Sequence, residues 1–239
     1  PPRSTLFPYT TLFRSTENLV QSKKPYGSIV GYVVEGLFQN SEEAKASGQP
    51  NARVGGLKYA DLDHSGTIDA KDQTWIFDPV PDFNWGLNVQ LGYKNFDLSM
   101  FFQGVCGVDV YNNQKFQTDF WSLTDAGSNK GNRMLGAWTE DNTSSKIPAL
   151  TTNNTGDEGR ASTYFVEHGN WMKLRTLQLG YNFSDSLLKK LHMTSARVYV
   201  SGQNLFTWKS SSFTISDPEN PNWAYPHSSS VSFGLQLSF

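Results

Sequence analysis

The 239-residue chain is predicted to be all-β and antiparallel, a fragment of a transmembrane β-barrel with long extracellular loops. Three observations lead there. Apolar residues recur at every second position over stretches of roughly nine to eleven residues, the length of a tilted membrane-crossing strand. The opposite face of those stretches carries Gly, Asn, Gln, Ser and Thr rather than the Lys, Glu and Arg of a water-facing sheet. Short and long connections alternate strictly, as turns and loops do at the two ends of an outer-membrane barrel.

In chain order, Pro1–Ser15 (PPRSTLFPYTTLFRS) reads as translated sequencing adapter and is set aside from fold reasoning. On that reading the natural chain extends upstream, and the missing targeting signal carries no information. Gly27 to Glu35 is a weak strand candidate, followed by the long excursion Gly36 to Asn84. Trp85, Leu87, Val89, Leu91 and Tyr93 then alternate with Gly86, Asn88, Gln90 and Gly92, so that strand meets two different solvents. Lys94-Asn95 is a tight turn into Phe96, Leu98, Met100 and Phe102, which alternate with Asp97, Ser99 and Gln103; Phe101 is the exception. After the long stretch Gly104 to Asn170 come Leu177, Leu179, Tyr181 and Phe183, a modest link from Ser184 to Thr194, and Val198 and Val200. A third long connection, Trp208 to Ser230, leads to the cleanest strand, where Val231, Phe233, Leu235, Leu237 and Phe239 share one face. That makes about six candidate strands.

Composition narrows the function classes. Charged residues at 18% and aromatics at 14% describe a folded chain. A net charge of -2 offers no basic face for nucleic acid. With Cys106 as the single cysteine, neither a disulfide nor a thiolate metal cluster forms within the chain. No apolar run approaches the roughly 20 residues of a membrane-spanning helix, which leaves a β-barrel open. An enzyme is not expected: there is no Gly-x-Ser-x-Gly, His-Glu-x-x-His, phosphate-cradling glycine loop or Cys-x-x-Cys. His64, His168, His192 and His227 are scattered without a partner at ligand spacing. Glycan-acceptor patterns at Asn142, Asn153 and Asn182 are short enough to arise by chance.

The sharpest chemical signal is Asp61-x-Asp63-x-Ser65-Gly66-Thr67-Ile68-Asp69-x-x-Asp72. Calcium takes six to eight oxygens, and a twelve-residue loop offers them from positions 1, 3, 5, 7, 9 and 12, with glycine at 6 for the bend. Here those positions are Asp61, Asp63, Ser65, the Thr67 carbonyl, Asp69 and Asp72. Serine at position 5 is a neutral donor, and Asp at 12 is one methylene shorter than the usual bidentate Glu. The expectation is a structural Ca2+ site of moderate affinity; the simpler reading is a turn whose carboxylates cap backbone amides. Trp121, Trp138, Trp223 and Tyr225, with Trp171 nearby, lie in or beside the long connections, where rings stack on sugar faces or pack on a partner protein. The simpler reading is that they form an interfacial girdle or the loops' own small cores.

From about Gly27 onward the chain resembles the C-terminal end of the SusC/RagA family of TonB-linked outer-membrane transporters. The resemblance rests on Gly31-Tyr-Val-Val-Glu-Gly-Leu-Phe-Gln39, Leu57-Lys-Tyr-Ala-Asp-Leu-Asp63, Pro81-Asp-Phe-Asn-Trp-Gly-Leu87, Tyr93-Lys-Asn-Phe-Asp-Leu-Ser99 and Phe101-Phe-Gln-Gly104. It continues in Trp171-Met-Lys-Leu-Arg-Thr-Leu-Gln-Leu-Gly-Tyr181, Arg197-Val-Tyr-Val-Ser-Gly-Gln-Asn-Leu-Phe206, Asp217-Pro-Glu219 and Ser232-Phe-Gly-Leu-Gln-Leu-Ser-Phe239. The Trp208–Ser212 segment and Cys106 depart from the family pattern. The resemblance implies a plugged barrel of about 22 strands in the bacterial outer membrane, importing glycans or peptides with a SusD-like lipoprotein as lid and the TonB complex as energy source. The chain would be residues 16–239 of its C-terminal wall, embedded in outer-membrane lipid. Phe239 would be the terminal aromatic read by the barrel-assembly machinery. The alternative from a different class is a secreted, calcium-stabilised β-sandwich, a carbohydrate-binding module or adhesin. In a sandwich Leu87, Val89, Leu177, Leu179, Phe233 and Leu235 converge in one core; in a barrel they point outward.

Overall fold

The computed structural model describes residues 24–120, 129–152, 158–220 and 225–239. Along the chain run strands β1 (Ile29–Tyr32) and β2 (Val34–Leu37), helix α1 (Ser41–Ala46), then β3 (Leu57–Tyr59) and β4 (Gln73–Phe77). Two long strands, β5 (Phe83–Tyr93) and β6 (Phe96–Cys106), are followed by β7 (Asp109–Tyr111), α2 (Gln114–Thr118) and β8 (Val166–His168). The chain closes with β9 (Trp171–Asn182), α3 (Asp185–Lys190), β10 (Ser195–Lys209) and β11 (Ser230–Ser238). These elements sort into two units, one from residues 24–80 and 109–167, the other from 81–108 and 168–239.

The second unit is one antiparallel sheet in the order β11-β10-β9-β6-β5. Its strands have 9, 15, 12, 11 and 11 residues in that order. Cross-strand partners keep like with like: Leu91 opposes Leu98, Leu98 opposes Leu179, and Val200 lies between Leu179 and Phe233. On the other face Gln90 opposes Ser99, Ser99 opposes Gln178, and Gln178 opposes Ser201. The residues that a sandwich would gather into a core are not gathered. Leu87, Leu179, Phe233 and Leu235 are exposed, Phe233 at 84% of its surface, and Val89 and Leu177 are half-buried.

Packing on the polar face explains two of its glycines. Tyr199 lies between Gly180 and Gly234 in the ladder. A Cβ on Gly234 would sit 2.2 Å from the Tyr199 ring, and one on Gly180 would sit 2.6 Å from the side chains of Arg197 and Asp97, which pair across it. Next to them the ladder is irregular. Phe101 and Phe102 of β6 face Thr176 and Leu174 of β9, so Arg175 is an extra residue in β9. On the other side Asn204 and Leu205 of β10 lie opposite that same residue, and Asn204 takes a φ of +50°. A one-residue bulge swaps the faces on either side of it. Here it turns Met172 and Leu174 to the apolar face and Lys173 to the polar one.

The first unit corrects the expectation for Gly27 to Glu35. That segment does not join the long-strand sheet. It forms β1 and β2, which pair with β4 and β3, because its apolar side chains belong to a local core. Ile29 and Tyr32 are buried, and the Tyr32 ring lies 5.1 Å from that of Tyr59. The long stretches Gly36 to Asn84 and Gly104 to Asn170 therefore fold on each other rather than staying coil. Their core joins Tyr32, Leu37, Leu57, Tyr59 and Ile68 to Phe120, Trp138 and Phe165. Phe165, 1% exposed, is the hub, with the rings of Tyr111, Phe116, Phe120 and Tyr164 at 5.4 to 6.3 Å. Such ring pairs add roughly 0.5–1.5 kcal/mol each beyond the area they bury.

Phe165→Ala should cost about 3–5 kcal/mol in the unit that holds it. Limited proteolysis of the full-length protein is expected to show faster cleavage within 24–80 and 109–167, with the five long strands as protected as in the parent. Equal protection of both would refute the hub role.

Candidate functional site

The twelve-residue loop brings three of its acids together. One carboxylate oxygen from each of Asp61, Asp63 and Asp72 lies within 4.8 Å of the others. The loop is shaped by its own amides. Asp61 accepts from the Ser65 and Gly66 amides at 3.1 and 2.7 Å, and Asp63 from the Ser65 amide at 3.0 Å. The Ser65 side chain first, and then its amide, hold the Asp63 carboxyl below its ordinary range. Asp72 is wholly buried; one oxygen accepts from Leu62 at 2.8 Å and the other from Asp69 at 2.8 Å. Gly66 bends the loop at a φ of +81°. Gly48 (φ +63°) closes against it: its carbonyl accepts the Ile68 amide, and a Cβ there would fall 1.9 Å from the Gly66 carbonyl oxygen.

The remaining positions differ from the expectation. Asp69 is turned away to cap the short 3-10 turn Ala70–Asp72, accepting the Lys71 amide at 2.7 Å. The Ser65 hydroxyl donates to the Thr67 carbonyl at 3.0 Å. Among the described residues no Lys, Arg or His side chain is in ion-pair contact with Asp61, Asp63 or Asp72. A buried carboxylate beside two others, without a basic partner, is the electrostatic situation that a divalent cation relieves.

A second charged cluster was not anticipated. On the polar face of the sheet, the buried Lys173 ammonium donates to Asp217 at 2.7 Å and Glu219 at 2.6 Å. Arg175 pairs with Glu219 and also reaches Gln103 at 2.8 Å and Asn204 at 3.2 Å. The His227 ring contacts Asp217 at 3.1 Å, and its amide donates to the same carboxylate at 2.8 Å. Asp217, Glu219 and His227 are close enough to hold a metal, but Lys173 already supplies the cation there. Burial pushes the Asp217 carboxyl up; the Lys173 ammonium and the amides of His227 and Glu219 outweigh it and hold the group well below the carboxylate range. The sequence signal for this cluster was the Asp217-Pro218-Glu219 motif together with two basic residues on an otherwise weakly charged face.

The aromatic candidates fall into three groups. Trp138 is buried, its Nε1 donating to Gln39 at 2.9 Å, so it serves the core of the first unit and offers no contact surface. Trp171 is likewise buried, with Lys173 5.6 Å from its ring centroid. Tyr225 is 93% exposed. Trp121 and Trp223 lie outside the described residues, as do Pro1–Ser15. Phe239 is exposed and continues the apolar side of β11. The four histidines do not assemble into a site.

Because the folded-state affinity of Asp217 for protons is below that of the unfolded chain, its contribution to stability is complete above about pH 5 and is lost as pH falls below about 4. Asp217→Asn should flatten the acid limb of a melting temperature against pH curve. An unchanged acid limb would show that the cluster does not couple to folding.

No protein-family model matches the chain. Over 95% of its length it is 32% identical to TonB-dependent receptor P3 of Formosa agariphila, of which it spans 23%. TonB-dependent receptor P26 of the same organism is 30% identical over 85% of the chain, which spans 22% of that protein. TonB-dependent receptor SusC of Bacteroides thetaiotaomicron is 28% identical over 95% of the chain, which spans 21% of it. In fold, the RagAB peptide transporter superposes with a TM-score of 0.71 at 24% identity, covering 95% of this chain and 24% of that one. The RagAB peptide importer in its open-open state gives a TM-score of 0.66 at 23% identity, covering 96% and 25%. The chain thus spans between about a fifth and a quarter of the length of the proteins it matches. It belongs to the SusC/RagA family of TonB-dependent receptors, which are outer-membrane transport proteins and not enzymes.

Proposed function

We propose that the five long strands are a stretch of the wall of a plugged outer-membrane β-barrel, in a receptor that imports glycans or peptides. A SusD-like lipoprotein would serve as its lid and the TonB complex as its energy source. The observation that carries the reading is the two-faced sheet: exposed Leu, Val and Phe on one side, Gln, Ser, Asn and paired charges on the other. Lipid suits the first face and an aqueous lumen the second. With 9 to 15 residues each, the strands are long enough to cross a bilayer at a tilt. The outer edges of β5 and β11 would take the neighbouring strands of the closed barrel. Among the relatives, RagAB is a peptide transporter, which supports the peptide class. The first unit and Tyr225 belong to the long connections, the extracellular side of such a barrel, where Tyr225 would meet the lid or the solute. Phe239 would be the aromatic recognised by the barrel-assembly machinery.

Calcium belongs to this reading as a structural ion. Asp61, Asp63 and Asp72 would hold it, with Ser65, the Thr67 carbonyl and Asp69 completing the oxygen set after local rotation. The buried, cation-free Asp72 favours it, and a flexible oxygen-rich loop suits calcium better than magnesium.

Expression of the full-length gene followed by fractionation is expected to place the product in the outer membrane as a heat-modifiable band. Recovery as soluble secreted protein would sink the wall reading. On the purified receptor, chelation should raise proteolytic cleavage within 61–76 by about tenfold or more, reversed by calcium and absent in Asp63→Asn. Cleavage indifferent to chelator would exclude the ion and leave the amide-capped turn.

A further inference from the structure

The last long connection, between β10 and β11, does not hang free of the sheet at residues 213–219. Phe213, Ile215 and Asp217 are buried, while Thr214 and Ser216 between them are exposed, so alternate side chains face the protein. Pro218 bars a helix and keeps Asp217 extended.

Three cations hold this segment from the polar face. Lys209 donates to the Ile215 carbonyl and stands 5.4 Å from the Phe213 ring centroid. Lys173 holds Asp217 and Glu219, and Arg175 holds Glu219. In the ladder Lys209 is level with Trp171, and Thr207 with Lys173. From Lys209 to Lys173 to Arg175 the contacts therefore step along β9, away from the rim where the long connections emerge and toward the link that holds α3. Trp171 to Arg175 is about 13 Å at the rise of an extended strand. The return leg leaves at the bulge, where the Ser229 hydroxyl donates to the Asn204 carbonyl at 2.6 Å.

We propose that residues 213–219 are a strap folded inward along the solute path of the receptor, clipped there by Lys209, Lys173 and Arg175. Its exposed hydroxyl side chains, Thr214 and Ser216, face the passing solute. This rests on the wall reading above, in which the polar face lines the lumen. The strap narrows that lumen and presents hydroxyl groups, the chemistry that hydrogen-bonds to sugars or to peptide backbone. The clip is ionic on both sides. Removing one partner leaves a buried charge unpaired, so the strap is held firmly while all the partners are present.

The test uses the full-length receptor in a Cys106→Ser background. Ser216→Cys is labelled with a short-linker biotin maleimide and then challenged with streptavidin, a folded protein too wide to follow the label into a narrowed lumen. Leu135→Cys, at a residue 92% exposed in the first unit, is the accessible reference. Streptavidin should shift folded Ser216→Cys at least tenfold less than folded Leu135→Cys, and both equally after denaturation. Equal shifts in the folded state would overturn the strap. Lys173→Met should raise capture at Ser216→Cys fivefold or more, whereas Lys173→Arg should leave it low; no change with Lys173→Met would overturn the clip. Should Lys173→Met yield no heat-modifiable receptor, Lys209→Met, which leaves both carboxylates paired, provides the same reading. Fractionation is scored separately: absence from the outer membrane removes the wall reading, and the capture ratio on purified receptor still decides where the strap lies.

Discussion

Alternation of side chains across the pleat is the constraint on which the rest of the sheet depends. Each residue points opposite to its neighbours, so a strand between two unlike surroundings must keep its parity along its whole length or change it deliberately. β9 changes it once. Met172 and Leu174 share a face with Leu177, Leu179 and Tyr181 only because Arg175 is an extra residue between them. In regular pairing Lys173 would point to the apolar face, away from Asp217 and Glu219, which neutralise it. The bulge removes that conflict and places two cations, Lys173 and Arg175, side by side where Asp217 and Glu219 can reach them.

Among the described residues two groups of crowded carboxylates stand out, and they are handled differently. Asp217 and Glu219 are neutralised by side chains from the sheet, so their pairing ties together segments 44 residues apart in sequence. Asp61, Asp63 and Asp72 are instead held by backbone amides of their own loop. The first arrangement is complete in itself and sets the position of a segment. The second holds a loop in shape and leaves its negative charge unmatched by a basic side chain.

Much of this was legible in the sequence, and the boundary is physical. The parities of β5, β6, β10 and β11 and the tight turn at Lys94-Asn95, with Lys94 at a φ of +52°, follow from period-two patterns that a strand between two solvents must show. The clustering of Asp61, Asp63 and Asp72 was legible because all three lie within one twelve-residue stretch; Asp69 faces elsewhere, capping the turn that follows. What could not be read were features made by contacts distant in sequence. The first unit uses strands of three to five residues, too short for periodicity to register. Trp138 looked like a loop tryptophan until Gln39, 99 residues away, supplied its hydrogen-bond partner. Gly180 and Gly234 are glycines because Arg197 and Tyr199 lie across them, which no local pattern announces.

The first unit is also discontinuous. Phe38 and Leu57 come from one segment, Phe120, Trp138 and Phe165 from another, and the β5–β6 hairpin lies between them in the chain. Between those two segments the polypeptide goes out along β5 and returns along β6. Hairpin formation thus acts as the loop-closing step for the aromatic core, shortening the entropic distance that Phe165 must cross to reach Tyr32. A slip in the Leu87–Phe102 register would delay the folding of residues in the other unit. In kinetic terms the β5–β6 hairpin is the template, and the folded excursion is its late product.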